Sequence, residues 1–130
     1  MAAAQGSSYK IGALLKRSLN EKFIMVKFLI TGSYTPDGAK ALAQEGGSKR
    51  KAAVEKMVAS IGGKLEAFYF AFGESDIYVV VDVPDTTSGA ALTLAVNSSG
   101  MVKISSVMLL TPEEIDAACK KTVSYRAPGR

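Results

Sequence analysis

A chain of 130 residues with no histidine, one cysteine and a net charge of +4 fits one domain of ordinary size. Without histidine there are no imidazole zinc ligands, no proximal haem histidine, no serine–histidine or cysteine–histidine couple, and no usual general base near neutral pH. The lone cysteine, Cys119, rules out an intrachain disulfide framework and suits a reducing compartment, so a cytoplasmic location is expected.

The positive charge belongs to the two ends. Residues 1–24 hold Lys10, Lys16, Arg17 and Lys22 against Glu21, which gives +3, and residues 116–130 hold Lys120, Lys121, Arg126 and Arg130 against Asp116, also +3. The body between them is −2. A nucleic-acid-binding face on the domain is therefore not expected. No acidic cluster suggests a calcium or magnesium site, and neither GxGxxG nor GxxxxGK[ST] is present. No metal and no cofactor is expected. No apolar run reaches the roughly 18–20 residues of a membrane span.

Residues 1–24 place Ile11, Leu14, Leu15, Leu19 and Phe23 at helical spacing among basic residues. They read as an amphipathic or expression-derived extension ahead of a natural start at Met25. Val26–Thr31 reads as a strand, and Gly32–Gly38 as a turn region. A helical stretch follows, broken at Gly46-Gly47, with Ser48 placed to cap its second part. There Val54, Met57, Val58 and Ile61 form an apolar stripe, Arg50, Lys51, Glu55 and Lys56 point elsewhere, and Gly62-Gly63 stops the helix. Lys64–Phe72 and Asp76–Val83 form an antiparallel hairpin around Gly73-Glu74-Ser75. Pro84-Asp85-Thr86 opens a helix through about Asn97, Met101–Leu110 is the fourth strand, and Thr111-Pro112-Glu113-Glu114 starts a last helix. Residues 116–130 are the end of that helix and a basic tail. The order is βαββαβ with a C-terminal helix.

The strands carry the more informative pattern. In the first hairpin strand Leu65, Ala67, Tyr69 and Ala71 alternate with Phe68, Phe70 and Phe72; in the second, Ile77, Val79, Val81 and Val83 alternate with Tyr78, Val80 and Asp82. Both faces are substantially apolar, whereas an antiparallel sheet with one wet face should alternate apolar with polar residues. The two crossover helices lie on one side. The other side therefore calls for a partner, and a second copy stacking its sheet there is the economical answer. The aromatic and valine-rich positions of the hairpin are assigned to that second face, and any pocket is expected there.

Residues 25–115 resemble the GYD-domain family of small bacterial and archaeal proteins, named for a glycine–tyrosine–aspartate motif. The match rests on Thr35-x-x-Gly38, Gly62-Gly63-Lys64-Leu65, Phe68-Tyr69-Phe70-Ala71-Phe72-Gly73-Glu74-Ser75-Asp76, Val81-x-Val83-Pro84-Asp85 and Thr111-Pro112-Glu113-Glu114. Gly73 and Asp76 stand at the glycine and aspartate of the motif, with Ser75 at its tyrosine. The resemblance implies an α+β, ferredoxin-like domain of the dimeric α+β-barrel type. Related barrels include cofactor-free monooxygenases, lactone isomerases, haem enzymes and ligand sensors, so fold alone chooses no function.

Candidate site residues follow from side-chain chemistry. Asp76, within Gly73-Glu74-Ser75-Asp76, could act as acid or base at a pocket mouth, although turn chemistry alone accounts for these residue types, with Gly73 supplying unusual backbone angles. Asp82 would become a base if buried and a solvated carboxylate if near an edge. Tyr34, Phe68, Phe70 and Tyr78 are the ligand-binding candidates, with interface or core packing as the competing role. The leading expectation is a homodimer or higher homo-oligomer that binds a small apolar molecule between or beside paired sheets. Two alternatives stand beside it. One is a cofactor-independent monooxygenase or isomerase using Asp82 or Asp76 with Tyr78 and Tyr34. The other is an assembly protein whose interface is its purpose.

Overall fold

The first strand, β1, runs from Val26 to Tyr34, three residues beyond its expected end. Gly32, Ser33 and Tyr34 have turn-forming neighbours, but Ile104, Lys103 and Val102 pair with them on one side, and Ile77 pairs with Gly32 on the other. Ladder hydrogen bonds thus override local propensity. The computed structural model describes residues 25–130, and the extension assigned to residues 1–24 lies outside them. After β1 come α1 (Pro36–Glu45), α2 (Gly47–Ser60), β2 (Lys64–Phe70), β3 (Ile77–Val83), α3 (Thr86–Ser98), β4 (Val102–Leu109) and α4 (Pro112–Cys119). The four strands form one antiparallel sheet in the order β2-β3-β1-β4, the arrangement of a ferredoxin-like α+β fold.

Helix ends follow the local chemistry. Thr35 caps α1 by accepting the Gly38 N–H at 3.1 Å, and its hydroxyl also donates to the Gly100 carbonyl at 2.9 Å. The same turn packs so tightly that a Cβ on Gly38 would lie 1.8 Å from the Met101 carbonyl oxygen, so the Thr35-x-x-Gly38 pattern ties the start of α1 to the α3–β4 connection. Ser48 does not cap α2. Gly46, with φ 87°, takes that place and Ser48 sits in the first turn. The far end of α2 closes as a Schellman motif: Gly63 N–H donates to Val58 O at 2.9 Å and Gly62 N–H to Ala59 O at 3.0 Å, with Gly62 at φ 78°. Asp85 caps α3 through the Ser88 N–H at 2.7 Å. Thr111 and Glu114 form a reciprocal capping box on α4.

One face of the sheet holds the core. Ile30, Ile77, Val79, Val81, Val83 and Ile104 are buried there beneath Val58 of α2 and Leu92 of α3. The expected split of the hairpin faces is corrected by β2. Between Leu65 and Ala67 the register against β3 shifts by a bulge: Leu65 pairs with Val81, Ala67 with Val80 and Phe68 with Val79. The extra residue reverses the alternation. Phe68 and Phe70 therefore join Leu65 on the helix-covered side, where they pack against the core with their two rings edge-to-face, centroids 5.1 Å apart. Phe72 lies beyond the strand and is exposed. Gly73 adopts no left-handed angle, so the hairpin does not require glycine there on backbone grounds.

The opposite face carries Leu29, Val80, Val107, Ala67, Tyr69 and Tyr78, with Thr31 and Ser105 between them, as the pairings require. At its β2–β3 end, Lys27 forms ion pairs with Asp82 at 2.9 Å and with Glu66. No described helix lies on this face closely enough to bury it: Tyr69 is 69% and Val107 54% exposed. Among the described residues, no helix is long and apolar enough to cross a membrane.

Candidate functional site

The helices that cover the core do not close over it. α2 packs on β2, and α3 packs on β4 and β3. Between them a cleft of about 310 Å³ opens onto the inner face of the sheet. Its floor is Ile30, Ile77, Val79 and Phe68. Val54 and Met57 form one wall, and Leu92 and Val96 the other. These are the residues that the helical stripe of α2 and the strand alternation drive inward. They make the cleft predominantly apolar, as small-molecule pockets are.

Polar groups gather where β1, α1 and α2 meet. Tyr34 ends β1, Glu45 ends α1 and Arg50 lies in the first turn of α2, and all three line the cleft. The Gly46-Gly47 break brings the last two together by turning the chain between the helices. Arg50 Nε lies 3.3 Å from Glu45 Oε2, but the two are not aligned as a hydrogen bond, and this buried N–H has no acceptor among the described residues. Leaving a buried donor unsatisfied costs roughly 1–3 kcal/mol, so the arrangement favours any acceptor that can reach it. Burial raises the pKa of the Tyr34 phenol; Arg50 pulls it down, while Glu45 and Asp76 push it further up. Tyr34 therefore stays protonated at neutral pH and presents a hydrogen-bond donor.

The sequence-derived candidates divide between the two sides of the sheet. Tyr34 and Phe68 line the cleft. Phe70 packs beside it against Gly47 and the core. Tyr78 and Asp82 are on the open face, where Asp82 is engaged with Lys27. Asp76 stands at the turn into β3. Its carboxylate accepts the Tyr34 backbone N–H at 2.8 Å, and its own N–H donates to Gly32 O at 2.7 Å. Asp76 thus holds the end of β1, and with it Tyr34, in place. The pocket expected on the second face lies instead beneath the helices, to which the bulge in β2 turns Phe68 and Phe70 while Tyr69 and Tyr78 stay on the open face.

Acid–base chemistry inside the cleft would fall to Glu45 and Tyr34, since Asp82 and Tyr78 face away from it. Lys27, between Glu66 and Asp82, shows the contrast. Desolvation acts to lower its pKa, but the hydrogen bonds and charges of the two carboxylates outweigh this and hold it above the ordinary value. Arg50, expected to point away from the apolar stripe of α2, in fact continues it, four residues before Val54 and seven before Met57, and Glu45 likewise follows Ala41 and Leu42 of α1 at helical spacing. Sequence reasoning passed over both because charged residues usually face water, although their spacing was the signal that could have found them.

The model of the GYD domain matches residues 28–119. No curated protein and no solved structure matches the chain. The family match runs from within β1 to the end of α4, including the cleft and the hairpin that carries Asp76, and the chain belongs to the GYD-domain family.

Proposed function

We propose that the chain is a small-molecule-binding domain that works as a homodimer or higher homo-oligomer in the cytoplasm. The ligand would enter the cleft between α2 and α3, and the copies would meet through the open face of the sheet. The observation that carries the ligand reading is the cleft itself, an apolar hollow over the core with a few convergent polar groups at one end. Oligomerisation draws support from the open face. Tyr69, Tyr78 and Val107 are exposed there, and burying side chains of this size stabilises an assembly by about 1.5–3 kcal/mol each. At one end of that face Lys27 and Lys64 stand against Glu66 and Asp82, so two copies would meet without net repulsion there.

Native mass spectrometry of the freshly purified full chain tests both halves. A dimer or larger assembly carrying an additional small organic mass is the expected spectrum. A bare monomer at micromolar concentration would overturn the proposal.

A further inference from the structure

The polar end of the cleft carries enough information to narrow the class of ligand, on the reading that the cleft is the binding site. Arg50 presents a planar fork of five N–H donors. Glu45 approaches only its Nε edge, at 3.3 Å and out of alignment. Tyr34 adds a hydroxyl donor beside it. The polar end is therefore rich in donors, and Glu45 is the acceptor among the charged residues lining it.

Charge decides between the remaining classes. Arg50, Glu45 and Asp76 all act on Tyr34, and together they leave the polar end with one excess negative charge. A carboxylate entering the cleft would be drawn by Arg50 but opposed by Glu45 and, from behind Tyr34, by Asp76. An ammonium would find a single charged acceptor in Glu45, and taking it would leave the Arg50 charge without its counter-ion in a partly buried place. Asp76 offers it little, because that carboxylate is not among the groups lining the cleft. A neutral acceptor oxygen meets neither obstacle. It takes N–H from Arg50 and O–H from Tyr34, adds no charge, and leaves the Arg50–Glu45 pair intact. The cleft volume, about 310 Å³, lies at the small end of the roughly 300–1,000 Å³ of ligand pockets, which points to a small molecule.

We infer that the cleft selects a small, neutral, mostly apolar molecule carrying a carbonyl or similar acceptor oxygen that is read by Arg50 with Tyr34 beside it. Four probes of one skeleton separate the classes: propiophenone, propylbenzene, phenylacetate and phenethylamine, each titrated into the full chain and followed by backbone amide chemical shifts. Propiophenone is expected to bind about tenfold more tightly than propylbenzene, the worth of one hydrogen bond to a charged donor, and more tightly than either ion. Arg50→Met keeps the aliphatic stem and should remove most of that preference; Tyr34→Phe should remove part of it. The quantity compared is the ratio of propiophenone to propylbenzene affinity within each variant, and circular dichroism verifies that each variant is folded. Phenylacetate or phenethylamine as the tightest probe would overturn the inference while the cleft reading stands. So would a ketone preference that survives Arg50→Met. Failure of all four to bind would overturn the cleft reading with it.

Discussion

The two faces of the sheet are built from alternate residues of the same strands, yet they solve opposite problems. On the helix-covered face Val79, Val81 and Val83 are 3%, 1% and 0% exposed. Their neighbours Val80 and Asp82 turn the other way, into a surface where an apolar centre borders an ion-paired cluster of Lys27, Glu66 and Asp82. Water makes the difference. A carboxylate between two buried valines is tolerable only because strand alternation points it outward. The covered face confines its charges to the rim of the cleft, where Arg50 and Glu45 stay partly exposed. One face therefore suits a small apolar molecule and the other suits a second protein surface.

The largest effect that separates the faces is on stability. Leu92→Ala, at a position 5% exposed under α3, is expected to cost about 2–5 kcal/mol through lost burial and the cavity left behind. Val107→Ala, 54% exposed on the open face, should stay within about 0.5 kcal/mol in the isolated subunit. Urea denaturation at a protein concentration low enough to keep the chain monomeric measures both. Equal losses would break the comparison.

Why the sequence reached the fold but only part of the cleft lining can be seen at single residues. The α2 stripe of Val54, Met57, Val58 and Ile61, the Gly62-Gly63 stop, the Asp85 cap and the Thr111–Glu114 box were all legible, because each is local and has a recognisable residue pattern. The faces of β2 were not. A bulge between Leu65 and Ala67 adds one residue without any glycine or proline to mark it, and everything after it changes side. The placement of the pocket inherited that error. Arg50 and Glu45 belong to different helices and meet only through the turn at Gly46, a tertiary fact that periodicity does not carry. Tyr34 was legible as a polar-tipped aromatic after the first strand, and of the two roles read for Asp76, acid or base and hydrogen-bonding turn residue, the geometry shows it holding backbone.

A smaller effect tests the packing that shapes the cleft end. Gly38→Ala would drive a Cβ to within 1.8 Å of the Met101 carbonyl, so the start of α1 must shift, at a cost of roughly 1–3 kcal/mol. Ligand affinity should fall as well, since Gly38 and Met101 both line the cleft. Thermal unfolding and a probe titration on the same sample measure the two. Unchanged affinity alongside lost stability would separate the Thr35–Gly38 turn from the site.

The smallest effects are those of pH, and they distinguish the faces by cause. Lys27 is held above its ordinary value of 10.5, with desolvation overcome by Glu66 and Asp82. The stability it contributes is fully present below the unfolded value and is lost as pH rises through the raised folded one. Tyr34 is also raised, from 10.0, chiefly by its own burial, so its contribution likewise fades in alkaline solution. Added salt should weaken the Lys27 contribution, which rests on partly exposed charges, and leave most of the Tyr34 contribution in place. Comparing Lys27→Met and Tyr34→Phe with the parent chain across alkaline pH, at low and high salt, measures this. An equal salt response would contradict the assignment of causes.

If the sheet takes a small molecule on one face and a second copy on the other, as proposed, a crossed pair of variants must separate the two. Val96→Trp fills the cleft wall, and Val80→Asp places a charge in the middle of the open face. Sedimentation equilibrium and the propiophenone titration are then run on each. The account predicts that Val96→Trp abolishes ligand binding and keeps the assembly, while Val80→Asp yields a folded monomer that still binds. Loss of both properties in either folded variant, or the reverse pattern, would contradict it.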